Sequence, residues 1–135
     1  KYIDIPSEPA FPFAFGLSYT TFEYSALKVL PGDGGKVHAR VRVEVKNTGR
    51  YEGEEVVQLY VRDESASITR PVKELKGFEK IALKPGEGKE VVFDITDEQL
   101  GFYDNRMNFV VEKGDFTFMV GTNSRDVDAV SYTLL

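Results

Sequence analysis

The stretch KVHARVRVEVKN, residues 36–47, alternates one side chain at a time. Val37, Ala39, Val41, Val43 and Val45 interleave with Lys36, His38, Arg40, Arg42, Glu44 and Lys46. A period of two with β-branched residues on one side defines a strand with one buried and one wetted face. A chain that holds such a strand needs a second layer to cover the valines. NTGRYEGEE follows, with Gly49 and Gly53 as turn residues. Beyond it, VVQLYVRD places Val57, Leu59 and Val61 inward. The two strands together read as an antiparallel hairpin with a medium-length loop.

The rest of the chain repeats this pattern. ESASITRPV is polar and contains Pro71, which has no N–H for a ladder, so it reads as a connection. KELKGFEKIAL, with Phe78, Ile81 and Leu83, and KEVVFDI, with Val91, Phe93 and Ile95, are two further strands joined by a turn at Lys84-Pro85-Gly86. TDEQL reads as one helical turn capped by Thr96, with Glu98 and Gln99 early in it. FYDNRMNFVVEKGDFTFMVGTNS gives a strand ending near Glu112, a turn at Lys113-Gly114, and a strand with Phe116, Phe118 and Val120 on one face. DVDAVSYTLL closes the domain. Some seven or eight short strands at regular spacing, with almost no helical periodicity, predict an all-β, two-sheet antiparallel β-sandwich.

At 135 residues the chain has the size of one domain. Its start at Lys1, without Met, leads us to expect a piece of a longer chain, and KYIDIPSEP lacks the pattern of a signal peptide. A net charge of −5 argues against nucleic acid or an anionic membrane as partner. No stretch approaches the roughly 18 apolar residues of a membrane span. The absence of cysteine excludes disulfides and thiolate zinc sites and leaves the compartment unspecified.

Catalytic chemistry finds little support. The one histidine, His38, sits mid-strand on the polar face between Lys36 and Arg40, a poor base for a nucleophile. No Gly-rich loop leads from a strand into a helix, so there is no phosphate cradle. A glycosidase needs two carboxylates flanking a bond, and Glu54, Glu55, Asp63 and Glu64 are the candidates, although they flank strand ends where charge normally serves solvation. Asn123, Asp126 and Asp128 supply oxygen ligands without the order of a calcium loop, so a loop-to-strand turn is the better reading. No catalytic residue, metal or cofactor is assigned to this chain.

FPFAFGLSYTTF, residues 11–22, crowds Phe11, Phe13, Phe15, Tyr19 and Phe22 into twelve positions. Five exposed aromatics would forfeit about 7–15 kcal/mol, comparable to the net stability of a domain. The segment therefore needs something to pack against. Residues 1–20 are read as an aromatic leader or interdomain connection, and residues 21–135 as the sandwich itself.

FPFAFGLSYTTFEYS, VKNTGRYEGEEVVQLYVRD, RPVKELKGFEKIALKPGE, LGFYD and VVEKGDFTFMVGTNSRD together resemble, in order, the C-terminal fibronectin type III-like domain of glycoside hydrolase family 3 enzymes, the β-glucosidases and β-xylosidases. The resemblance spans nearly the whole chain. One departure is Ala14, where the family usually carries glycine. The resemblance implies an immunoglobulin/fibronectin type III-like sandwich and a retaining glycosidase as parent. It also implies that the parent's nucleophile and acid/base lie in other domains, and that this domain packs on them, with loops that in some members approach the substrate cleft.

Two functions follow as expectations. In the first, the domain braces the catalytic domains of the parent glycosidase, with Phe11, Phe13, Phe15 and Tyr19 as interface anchors. In the second, it is a recruitment module for polysaccharide or another protein, with Tyr51, Tyr60 and Tyr103 as carbohydrate contacts. The absence of Trp weakens the stacking that sugar binding favours.

Overall fold

The computed structural model describes residues 20–65 and 73–135. The strands run β1 (Phe22–Pro31), β2 (Ala39–Asn47), β3 (Gly53–Asp63), β4 (Glu74–Leu83) and β5 (Gly88–Ile95). One helical turn, α1 (Asp97–Leu100), leads into β6 (Phe102–Tyr103), β7 (Phe109–Val110), β8 (Gly114–Gly121) and β9 (Val127–Leu134). Seven strands make two antiparallel sheets, ordered β1-β2-β5 and β4-β3-β8-β9, and β6 and β7 form a separate small pair. This is the two-sheet sandwich expected from the alternating pattern.

The core is the sum of those alternations. Val41, Val43 and Val45 of β2 are fully buried, and the register sets Val41 beside Phe93 and Val43 beside Val91 of β5. From the other sheet, Val57, Leu59 and Val61 of β3 meet Ile81 and Leu83 of β4 and Phe116, Phe118 and Val120 of β8 in the same cluster. Phe118 stacks on Tyr132 of β9, centroids 5.4 Å apart. Each such side chain stabilises the fold by about 1.5–3 kcal/mol.

The expected hairpin of β2 and β3 is not formed. β2 pairs with β1 and β5, whereas β3 pairs with β4 and β8, so residues 48–52 cross from one sheet to the other. Alternation reports which face of a strand is buried and carries no information on which neighbour supplies the ladder. Both strands bury a full row, so both lie inside their sheets and face each other across the core. Asn47 makes this corner. Its side chain is wholly buried, accepts from Thr20 Oγ1 (2.6 Å) and the Gly49 N–H (2.9 Å), and donates to the carbonyls of Tyr51 (2.8 Å) and Leu83 (2.9 Å). Gly49 is required here: a Cβ would stand 2.1 Å from Thr20 Oγ1.

Residues 102–112 also depart from expectation. In place of a strand ending near Glu112, a tight turn separates β6 from β7. Asp104 Oδ1 accepts from the N–H groups of Arg106 and Asn108, both 2.9 Å, and Met107 takes a left-handed conformation (φ 65°). The Asp side chain caps the turn locally and outcompetes a continued ladder. The expected helical turn is present, with Thr96 as N-cap and a capping box completed by Gln99.

Candidate interaction surface

The four candidate carboxylates are not disposed as a pair. Glu54 and Glu55 begin β3 and Asp63 ends it, so the two groups lie on the order of 25 Å apart along the strand; a retaining pair stands about 5–5.5 Å apart. Neighbours on a strand also point to opposite faces. Glu54 faces outward and pairs with Lys80 at 3.2 Å. Glu55 points inward, where its Oε2 accepts from the hydroxyls of Tyr24 (2.7 Å) and Thr122 (2.9 Å). Burial raises its pKa against the effect of those two donors, and burial likewise raises that of Tyr24. Asp63 Oδ1 accepts from the Ser65 N–H at 3.0 Å. Glu64 accepts from Thr117 Oγ1 (2.6 Å) and Arg62 Nε (2.7 Å), which hold its pKa below the ordinary value.

His38 lies one residue before β2, not in mid-strand. Its backbone N–H donates to Ile95 O (2.8 Å) and its Nε2 to Asp97 Oδ1 (2.7 Å). Asn123 Oδ1 accepts from the N–H groups of Arg125 (2.8 Å) and Asp126 (2.9 Å), which makes the segment the turn into β9. Among the described residues no three His, Asp or Glu side chains converge where they could hold a metal ion.

The candidate tyrosines are not brought together. Tyr51 is exposed in the crossover after β2. Tyr60 lies on the outer face of β3, with its hydroxyl donating to Gln58 Oε1 and the Lys73 ammonium 5.8 Å from its ring centroid. Tyr103 is exposed at the opposite end of the sandwich from Tyr51, edge-on to Phe109 at 5.2 Å. Beside Tyr103 is a cavity of about 270 Å³, walled by Val61, Glu74, Lys76, Gln99 and Phe116 among others. Lys76 Nζ runs along it, donating to Gly101 O (3.3 Å) and pairing with Glu74 (3.3 Å). Gly101 admits the Phe109 ring, which a Cβ would meet at 2.3 Å. Phe11, Phe13, Phe15 and Tyr19 lie outside the described residues.

The two outer faces differ in chemistry. On the three-stranded sheet, Arg40 pairs with Asp94 (3.0 Å), Arg42 with Glu90 and with Glu44, and His38 with Asp97. On the four-stranded sheet, Leu75 and Phe78 of β4 stand opposite Tyr60 and Gln58 of β3, and Val56 lies on the same face. Phe78 is 68% exposed and Leu75 52%. Sequence reasoning grouped Phe78 with Ile81 and Leu83 without separating their faces; the odd spacing between Phe78 and Ile81 was the available signal. Val56 breaks alternation beside Val57 in the same way.

An antiparallel sandwich with three- and four-stranded sheets and this chain order has the architecture of a fibronectin type III-like domain. Residues 55–124 match the fibronectin type III-like domain family, and the chain belongs to it. It is 46% identical over its full length to the periplasmic β-glucosidase of Salmonella typhimurium, and 48% identical over 93% of its length to a β-xylosidase of Formosa agariphila. Among solved structures, it superposes on a GH3 β-glucosidase of Bifidobacterium adolescentis over 92% of its length (TM-score 0.78, 38% identity). It superposes on the Listeria innocua β-glucosidase in complex with glucose over 98% (TM-score 0.76, 44% identity). In each case the chain spans 18% of the other protein. It therefore matches the C-terminal fibronectin type III-like domain of glycoside hydrolase family 3 proteins and is not their catalytic domain.

Proposed function

We propose that this chain is a non-catalytic accessory domain that braces the catalytic domains of a family 3 glycoside hydrolase acting on β-glucosides or β-xylosides. The observation that carries this reading is the commitment of the candidate carboxylates. Glu54 and Glu55 at the start of β3, and Asp63 and Glu64 at and just past its end, each hold a structural partner. In this reading the aromatic leader adds Phe11, Phe13, Phe15 and Tyr19 as anchors against the preceding part of the parent. The isolated chain is expected to hydrolyse neither aryl β-glucosides nor aryl β-xylosides, while deleting residues 20–135 from the parent lowers its melting temperature. Turnover by the isolated chain that disappears on changing one of its carboxylates would overturn the assignment.

Recruitment to polysaccharide is the second reading, favoured by the exposure of Tyr51 and Tyr103. Their separation, with Tyr60 between them on another face, leaves no shared stacking platform. A pull-down on insoluble glucan and xylan separates the readings. Bracing predicts no retention; saturable retention lost in Tyr51→Ala, Tyr60→Ala or Tyr103→Ala supports recruitment.

A further inference from the structure

We propose that the outer face of the four-stranded sheet, at β3 and β4, is the surface that packs on the rest of the parent polypeptide. The outer face of the three-stranded sheet then stays in water. The proposal rests on the accessory-domain reading and names the surface that reading requires.

Among the described residues, nine large hydrophobic side chains are exposed, and three of them, Val56, Leu75 and Phe78, lie together on this face of β3 and β4. The clustering matters more than the exposure, since single exposed apolar residues are ordinary and grouped ones mark interaction surfaces. The outer face of an antiparallel sheet is normally polar, so a strand that shows Phe and Leu outward as well as Ile and Leu inward reads as covered on both faces. Among the described residues β4 is moreover an edge strand, paired on one side only.

The opposite face argues by contrast. Its arginines and carboxylates are already paired across β2 and β5, and covering them would strip water from charges that gain nothing in return. The occupant we assign to the apolar side is the remainder of the same polypeptide, because the chain spans only 18% of the relatives it matches and more than four-fifths of such a protein lies outside it. The partner surface is apolar at its centre. Its rim carries both signs of charge to meet Glu54, Glu74 and Lys80.

The test places Leu75→Glu/Phe78→Glu, and a milder Phe78→Gln, in both the full-length parent and the isolated 135-residue chain. Val92→Glu on the other sheet serves as control. We expect the double variant to lower the melting temperature of the parent by several degrees, Phe78→Gln by less, and Val92→Glu hardly at all. The isolated chain should melt as wild type with each apolar-side variant, and should be monomeric by light scattering. An equal loss in the isolated chain would overturn the proposal by assigning the face to the chain's own packing. A dimer of the isolated chain that the double variant dissolves would overturn it in favour of a second copy. A parent indifferent to the double variant yet destabilised by deletion of residues 20–135 would place the brace on another surface. A parent indifferent to the deletion would remove the bracing function itself.

Discussion

Asn47 spends its whole hydrogen-bonding capacity inside the protein. Besides the four bonds of its amide, its backbone N–H donates to Glu87 O (2.9 Å) and its carbonyl accepts from the Gly86 N–H (2.8 Å). Replacing it with Ala strands two carbonyls, a hydroxyl and an N–H at a buried corner, so Asn47→Ala should cost about 2–4 kcal/mol in denaturant unfolding. Asn47→Asp should be worse, since a carboxylate would face the Tyr51 and Leu83 carbonyls with no donor to offer. Glu55 works in the other direction. Its folded pKa is raised above the ordinary 4.5, chiefly by burial. A carboxyl of this kind binds its proton more tightly when folded. Its contribution to stability is therefore full below the unfolded pKa and is lost as pH rises through the folded one. Gln in its place keeps an acceptor for the Tyr24 and Thr122 hydroxyls and carries no charge. Melting curves from about pH 4 to 7 should therefore show wild type losing ground to Glu55→Gln as pH rises, with the variant at least as stable at pH 7. A pH-independent difference would contradict the buried-carboxylate description.

At the scale of elements, the capping box of α1 is a local device. Thr96 Oγ1 accepts from the Glu98 N–H (3.2 Å), and Gln99 Oε1 accepts from the Thr96 N–H (2.7 Å). The turn matters because it delivers Leu100, 2% exposed, into the end of the core. Thr96→Ala should cost about 0.5–2 kcal/mol, measured by chemical denaturation, and a neutral result would mean that Leu100 alone holds the turn. Such local signals were legible in the sequence: the Thr cap, the alternating valines of β2, and the inward rows of β3, β5 and β8. The crossover at residues 48–52 was not, because pairing is decided by what lies across the core. Nor was the break between β6 and β7, where Asp104 satisfies nearby N–H groups that a strand would have offered to a neighbour.

For the whole molecule, the inward faces could be read from alternation, whereas the proposed interaction surface could not, since its residues are those that break the alternation. Leu75 and Phe78 acquire meaning only once β3 is known to lie beside β4, and the tyrosines separate only once the ends of the sandwich are known. The described domain pairs its charges across the outer face of the three-stranded sheet, shows Leu75 and Phe78 outward on the four-stranded one, and gives the candidate carboxylates of β3 structural partners. Calorimetry of the full-length parent tests bracing most directly. A brace predicts that the domain has no transition of its own in the parent: it melts with the catalytic domains in one coupled transition, above the temperature at which the isolated chain unfolds. A separate transition in the parent, at the same temperature as the isolated chain, would contradict it.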